Sequence, residues 1–129
     1  MNNQAYYLEP FIQGIEMSAQ VIKFREKLIV CPPVYKGSTS MEMIHPLKKL
    51  RIFPNPWNTD INPEVFNLAS EIAKKLNIEG VIDIDLIVSN FNKIYVSEIN
   101  SRLSGVSRMI SYGGYNAMDM LLSMAKKIG

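Results

Sequence analysis

Short apolar segments, some alternating with polar residues, dominate the chain, and proline, glycine or charged residues bound each of them. Alternation with a period of two is typical of a half-buried strand, and proline or glycine ends regular pairing. The predicted strands are Glu16–Phe24, Leu28–Val34, Leu50–Phe53, Val81–Val88 and Lys93–Asn100. Between the second and third strands, Tyr35–Lys49 is polar and rich in glycine, serine, threonine and methionine, which predicts a loop.

Two segments instead repeat their apolar residues at helical spacing. The first begins at Asn62, a favourable N-cap, and runs to about Leu76, with Pro63 and Glu64 in its first turn. The second begins near Asn116. Its predicted buried stripe is Met118, Leu121, Leu122 and Ala125. Strands outnumber helices and follow one another as hairpins, so we expect an α+β fold, a largely antiparallel sheet packed by two main helices.

The composition is that of an ordinary globular domain. The 129 residues are 47% hydrophobic and 20% charged, so we expect one folded domain over residues 1–129. A formal net charge of +2 provides no basic surface, and we therefore expect neither nucleic acid nor an anionic membrane as a partner. The longest apolar runs are too short to span a bilayer and no secretion signal is apparent, which favours the cytoplasm. The single cysteine, Cys31, follows Leu28–Val30 and is interpreted as a buried, unreactive thiol.

The segment Val81–Arg102 carries the strongest chemical signal. Alternate strand residues share a face, so Asp83 and Asp85 point away from the apolar residues between which they lie. A four-residue loop ending at Lys93 would set the pairing of the two strands. The resulting pairs are Ser89 with Ile94, Val88 with Tyr95, Ile87 with Val96, Asp85 with Glu98, Ile84 with Ile99, and Asp83 with Asn100. Opposed β-carbons lie roughly 5 Å apart, so three acids and an amide would crowd into one patch.

Like charges directly opposed in a sheet are destabilising, so this patch needs a positive partner. A divalent cation such as Mg²⁺ or Mn²⁺ fits the oxygen ligands, and Mg²⁺ is often held by one or two carboxylates together with nucleotide phosphates. An ordinary ion-pair network with Arg102, Arg108 or a nearby lysine is the alternative. Both interpretations stay open on the residues alone.

A second element lies near the start of the chain. Two acids, Glu9 and Glu16, flank an apolar stretch with a bend permitted at Gly14. Such a stretch can pack against a flat base while its acids accept hydrogen bonds. Taken alone, solvated acids at the border of a strand explain this pattern better.

Together the two elements resemble the ATP-grasp superfamily. The resemblance rests on four elements that occur in this order along the chain: Glu9-Pro-Phe-Ile-Gln-Gly-Ile-Glu16, the Pro54 region before a helix, Asp85, and Glu98-Ile-Asn100-Ser-Arg102. It covers most of the chain and is similar to the carboxylate–amine ligase, biotin-carboxylase-like and carbamoyl-phosphate-synthase-like branches. It implies the C-terminal half of that fold.

The resemblance also implies roles for individual residues. Glu9 and Pro10–Ile12 would grip adenine, and Glu16 would bind the ribose hydroxyls of ATP. Mg²⁺ or Mn²⁺ would be held by Asp85, Glu98 and Asn100. Arg102 would contact the acceptor carboxylate or its acyl phosphate. Lys48 would reach a phosphate, although Lys36, Lys49 and Arg51 compete for that role and each is also explained as a surface charge.

The implied activity is that of an ATP-dependent carboxylate–amine or carboxylate–thiol ligase acting through an acyl phosphate on small carboxylate and amine substrates. These 129 residues contain no glycine-rich phosphate-covering loop. We therefore expect the N-terminal ATP-grasp subdomain and the substrate domain to lie outside this chain, in the same parent protein or a separate subunit, and the isolated piece to be inactive. The alternative is a non-catalytic nucleotide-sensing or scaffolding module. Apolar surface left without its partner subdomain would also favour a homo-oligomer.

Overall fold

Five strands and three helices make up the computed structural model, which describes residues 11–39, 50–103 and 105–126. In chain order they are β1 (Gly14–Phe24), β2 (Lys27–Val30), β3 (Val34–Ser38), α1 (Asn62–Leu76), β4 (Gly80–Ser89), β5 (Ile94–Asn100), α2 (Ser107–Tyr112) and α3 (Ala117–Lys126). A single 3₁₀ turn, Thr59–Ile61, leads directly into α1.

All five strands form one antiparallel sheet around the long strand β1. The order across the sheet is β2-β1-β4-β5, and β3 also pairs with β1. The C-terminal half of β1 pairs with β2, from Val21 opposite Val30 onward, whereas its N-terminal half pairs with β3, where Ser18 lies opposite Val34. The predicted α+β fold with a largely antiparallel sheet is confirmed.

Alternation along β1 and β4 divides the sheet into two faces. On the first face, the odd-numbered residues of β1 and the even-numbered residues of β4 are buried against α1. Ala69 and Ala73 of α1 are fully buried, and these small side chains let the helix axis lie close to the sheet. The central members of this core are Met17, Ala19, Val21, Val65, Ala69, Ala73, Ile82, Ile84, Leu86 and Val88.

Among the described residues, only half of the second face is covered. Helices α2 and α3 pack over one end of it, and their apolar side chains form a separate core. The buried members of that core are Ile22, Cys31, Val34, Val81, Val106, Ile110, Ala117 and Met124. A hydrogen bond of 2.7 Å from the Ser107 hydroxyl to Oε1 of the Gln20 side chain fixes the start of α2 to β1. The other half of this face carries polar side chains and contains the candidate site.

The segments along one edge of β1 differ in extent from their predictions. Pro32 and Pro33 end regular pairing in the predicted strand Leu28–Val34, as expected, because proline has no N–H to donate to the ladder, but Val34 begins a further strand. Cys31 still donates its backbone N–H to the Gln20 carbonyl at 2.9 Å, and the chain resumes pairing on the same edge of β1 as β3. The predicted loop Tyr35–Lys49 thus begins inside a strand, and residues 40–49 lie outside the described residues. The predicted strand Leu50–Phe53 contributes a single bridge, Ile52 to Tyr35.

The helices also differ from their predictions in detail. Asn62 is not an N-cap. The 3₁₀ turn continues directly into α1, so Asn62 is the first residue of that helix. Asn116 does cap α3, accepting the Asp119 N–H at 3.0 Å, but the buried stripe of this helix is rotated by one residue. Met118 and Leu122 are about half exposed. Ala117, Met120, Leu121 and Met124 face the core instead.

Within the described ranges, none of the helices has the length and apolar character that a bilayer crossing requires.

Gly14 provides a test of how closely β1 lies against β4. A β-carbon at Gly14 would lie 2.1 Å from the Val88 carbonyl oxygen, a backbone atom that cannot move aside. We expect Gly14→Ala to lower the free energy of unfolding by about 3 kcal/mol, measured by urea denaturation. In the control, Gly105→Ala, the nearest atom is Arg51 Nη1 at 3.5 Å, and the change should stay within about 0.5 kcal/mol. Equal stability of the two variants would contradict the close approach.

Candidate functional site

The open half of the second sheet face gathers the candidate residues from β1, β4 and β5. Asp85 lies opposite Ser18 on one side and opposite Glu98 on the other. Directly opposed residues share a face, with β-carbons about 5 Å apart. The predicted pairing of Asp85 with Glu98, and that of Asp83 with Asn100, is confirmed. The side chains on which the metal hypothesis depends therefore lie on one face of the sheet.

This agreement depends on a β-bulge that the sequence analysis missed. Pairing shifts by one residue between Asp85 and Leu86, and Ser97 is the extra residue. The Ser97 hydroxyl donates to the Asp85 carbonyl at 3.2 Å. Beyond the bulge, Val88 pairs with Ile94 and Ile87 with Tyr95, so the predicted pairs Val88–Tyr95, Ile87–Val96 and Ser89–Ile94 were wrong. The connecting loop is shorter than expected because Ser89 N–H already bonds the Lys93 carbonyl at 2.8 Å.

A lysine from β3 supplies a positive partner for the acids. Lys36 Nζ lies 3.1 Å from Asp85 Oδ1, and each side chain is 20% exposed. Among the described residues neither arginine named above pairs with these acids. Arg102 donates only to the neighbouring Leu103 carbonyl at 3.4 Å, and Arg108 packs over the Tyr112 ring. Of the ion pairs considered in the sequence analysis, the one with a nearby lysine is therefore present.

Asp83 is buried instead of joining the open patch. Only 3% of its surface is exposed, and it accepts a hydrogen bond from the Ser18 hydroxyl. In the described parts of the chain, no three His, Cys, Asp or Glu side chains converge closely enough to hold a metal ion. The expectation that three acids crowd into one open patch was wrong, because Asp83 is buried and accepts a hydrogen bond from Ser18.

The remaining donor set still fits a hard divalent cation. Asp85 and Glu98 contribute carboxylates on the same face, Glu98 is exposed, and Asn100 at the end of β5 offers an amide oxygen. These are the oxygen ligands that Mg²⁺ and Mn²⁺ prefer, and Mg²⁺ commonly completes its shell with water and phosphate. The metal assignment of Asp85, Glu98 and Asn100 stays a prediction.

The predicted nucleotide-binding residues are only partly within the described residues. Glu9, Pro10 and Lys48 lie outside them. Phe11 is 49% exposed and Ile12 is half-buried, just before β1 begins. Glu16 is half-buried on β1 opposite Ile87, on the same face as Asp85. Arg102 is exposed just beyond the end of β5, two residues from Asn100.

Apolar surface adjoins the acids on this face, and the sequence analysis did not single it out. Ile87 and Tyr95 are paired across β4 and β5, beyond Asp85 and Glu98 along the strands. Tyr95 also lines a surface pocket of about 680 Å³ together with Phe11 and Ile12. Alternation marks Ile87 as a neighbour of Asp85, but only the bulge places Tyr95 on this face. A flat apolar ligand and its charged group can thus lie along one continuous surface.

Cys31 has the inert environment that the sequence predicted. It is fully buried, and burial raises the pKa of its thiol from 9.0 to about 11, against a smaller lowering by the hydrogen-bonding Gln20 side chain. A neutral buried thiol is a poor nucleophile, so Cys31 has no part in the chemistry proposed for this face.

Comparison with known proteins adds a family match and distant relatives. A family model described as an ATP-grasp domain matches residues 2–106 of the chain. The carbamoyl-phosphate synthase of Methanobrevibacter smithii is 32% identical over 119 residues, which are 91% of this chain and 32% of that protein. The chain therefore spans about a third of the length of this curated relative.

Solved structures share the fold at lower sequence identity. A biotin carboxylase–beta-gamma-ATP complex from Campylobacter jejuni superposes with a TM-score of 0.72 and 19% identity, over 88% of this chain and 25% of that one. An L-amino acid ligase from Bacillus licheniformis gives a TM-score of 0.71 and 21% identity, over 87% of this chain and 28% of that one. At these identities the likeness shows the fold alone.

The register that unites the site can be tested by cross-linking. In a Cys31→Ala background, Asp85→Cys with Glu98→Cys should form an intramolecular disulfide on mild oxidation, because opposed β-carbons are within reach of that bond. Asp85→Cys with Ile99→Cys is the control, since those side chains point to opposite faces. Free-thiol counting and intact mass distinguish the outcomes. A disulfide in the control pair alone would show that the register is shifted.

The burial of Cys31 predicts slow thiol chemistry. With the pKa at about 11 instead of 9.0, thiolate at pH 8 falls about 100-fold, so native protein should react with an aromatic disulfide reagent at least that much more slowly than unfolded protein. The raised pKa favours the folded state below pH 9.0, and this contribution is lost as the pH rises through about 11. Comparable rates with and without denaturant would contradict the burial.

Proposed function

This chain belongs to the ATP-grasp family, and we propose that it is the C-terminal, ATP- and metal-binding subdomain of an ATP-dependent carboxylate–amine or carboxylate–thiol ligase. The observation that carries this proposal is the placement of Asp85 opposite Glu98 on an open, half-polar sheet face. The similarity to a carbamoyl-phosphate synthase supports the same class of chemistry.

In this proposal the sheet face would present its oxygen ligands to the metal ion that accompanies ATP. Asp85, Glu98 and Asn100 would hold Mg²⁺ or Mn²⁺, which would supply neutralisation of phosphate charge. Two carboxylates provide the negative charge that attracts the cation, and the Asn100 amide adds a neutral oxygen. Ser97 fixes the backbone between the two acids by donating to the Asp85 carbonyl. The bulge thereby sets the direction of the ligand side chains.

The base and ribose lie toward the turn end of the same face. Ile87 and Tyr95 provide apolar surface next to Asp85, and Phe11 and Ile12 line the adjoining pocket. Glu16, opposite Ile87, is placed to accept hydrogen bonds from ribose hydroxyls. We also assign Glu9 and Pro10 to adenine binding, as the sequence motif implies.

The acceptor lies toward the other end of β5. Arg102 is exposed two residues beyond Asn100, where its guanidinium can pair with a small carboxylate or with the acyl phosphate formed from it. Transfer of the γ-phosphate to that carboxylate, then displacement of phosphate by an amine or thiol, completes the proposed reaction. The protein contributes mainly positioning and charge neutralisation.

Catalysis in this proposal also requires a covering N-terminal subdomain and a substrate domain. The chain spans 32% of the length of its carbamoyl-phosphate synthase relative, and no glycine-rich phosphate loop occurs in its sequence. We place these parts in the same parent protein or in a separate subunit. The 129 residues alone are then expected to bind the nucleotide without turning it over.

Metal-dependent nucleotide binding is the direct test. Millimolar Mn²⁺ with ATP should raise the melting temperature of the chain, because both ligands bind only the folded state. Glu98→Ala should weaken the apparent affinity for Mn²⁺-ATP at least about tenfold in calorimetric titration. Glu71→Ala is the matched control, since Glu71 is an exposed acid on α1 and lies across the sheet from the site.

Three outcomes are informative. Loss of affinity in Glu98→Ala alone supports the proposed metal ligands. Equal losses in both variants would assign the effect to general negative charge. A melting temperature that ignores both Mn²⁺ and ATP would remove the nucleotide site from this half of the fold.

A further inference from the structure

Lys36 reaches its partner across an intervening strand. It lies on β3, which pairs with β1, whereas Asp85 lies on β4 on the far side of β1. Neighbouring strands are about 4.8 Å apart, so a side chain from β3 must extend over β1 to reach β4. On β1, Ser18 lies opposite Asp85, and its side chain is small and buried. The ammonium then lies 3.1 Å from Asp85 Oδ1.

The charges at this point do not balance. Lys36 contributes one positive charge, whereas Asp85 and the directly opposed Glu98 contribute two negative charges. Within the described residues Glu98 has no cationic partner. Opposed like charges destabilise a sheet, so the single ammonium compensates only part of the repulsion. A divalent cation between the two carboxylates would compensate all of it.

We propose that Lys36 is a tethered cation that holds the place of the divalent metal on Asp85 and is displaced when the metal binds. This inference rests on the proposed function, since it assumes that Asp85 is a metal ligand. An ammonium 3.1 Å from Asp85 Oδ1 and a divalent ion on the same carboxylate repel each other, so metal binding favours departure of the ammonium. Displacement frees the lysine to swing toward the anionic ligand that accompanies the metal.

The pair is more than an incidental surface contact. Both side chains are only 20% exposed, so water screens them less than it screens a pair on a solvated helix face. The competition has a definite sign: removing the ammonium should strengthen metal binding, because the competing positive charge on Asp85 is lost. A purely structural ion pair predicts the opposite, because its loss would disorder Asp85 and weaken the site.

Titration of the whole 129-residue chain with Mn²⁺ alone separates these cases, with free Mn²⁺ followed by electron paramagnetic resonance. Lys36→Met should bind Mn²⁺ roughly two- to fivefold more tightly than wild type, the range expected for breaking a partly exposed ion pair. Lys36→Arg keeps the charge and should resemble wild type. Lys75→Met removes a charge from an exposed position on α1 and controls for net charge.

Each result decides something. Tighter binding in Lys36→Met alone supports the inference. Equal affinity of wild type and Lys36→Met, or weaker binding in Lys36→Met, would overturn the inference while leaving the metal site of the proposed function intact. If wild type and all variants fail to bind Mn²⁺, both the inference and the metal assignment are wrong.

A measurement on wild-type protein guards against misfolding of the variant. The Lys36 side-chain resonance can be assigned by comparison with Lys36→Arg and followed by nuclear magnetic resonance during titration with diamagnetic Mg²⁺. We expect it to shift with the same midpoint as the backbone amide of Asp85. A Lys36 resonance that stays constant while the Asp85 amide shifts would overturn the displacement.

Discussion

The repulsion between Asp85 and Glu98 is the constraint on which the rest of the site depends. Antiparallel pairing places these two carboxylates directly opposite each other, a position that costs stability unless a positive charge lies between or beside them. One lysine, Lys36, compensates part of this repulsion. An excess of negative charge therefore remains on the open face. An arrangement that is unfavourable for folding and is nevertheless built into paired strands points to a ligand that makes it favourable. In an ATP-grasp domain that ligand is proposed to be a divalent metal ion with ATP.

The layers around the sheet explain why this face is accessible. Helix α1 covers the first face over β1 and β4, so the even-numbered residues of β4 lie in the core. Helices α2 and α3 cover only the end of the second face where Ile22 and Val81 lie, and the Ser107–Gln20 hydrogen bond marks their limit. Beyond that limit the side chains become polar and then, at Ile87 and Tyr95, apolar again. This surface has acids at its centre and apolar residues toward the turn between β4 and β5. That arrangement matches the order of phosphates and base within a nucleotide.

The sequence predicted much of this because its strongest signals are local. Alternation along β4 and β5 identified the acids, and the pairing of Asp85 with Glu98 was correct although the loop was one residue too long, since the bulge at Ser97 compensates for that error. Such a bulge leaves no clear mark in the alternation. The buried stripe of α3 was predicted one residue away from its observed position. That helix is apolar on more than one side, so the spacing of its apolar residues does not determine which side is buried. The Lys36–Asp85 pair could not be predicted, since it depends on the order of three strands that are distant in sequence.

The central claim is that Asp85 and Glu98 jointly hold one divalent ion. A crystal structure of the chain grown with Mn²⁺ and a non-hydrolysable ATP analogue tests it most directly, because anomalous scattering locates the metal independently of the protein. We expect a peak within coordination distance of a carboxylate oxygen of each residue, with a phosphate oxygen in the same coordination shell. A nucleotide bound with its metal elsewhere, or a peak touching only one of the two carboxylates, would contradict it.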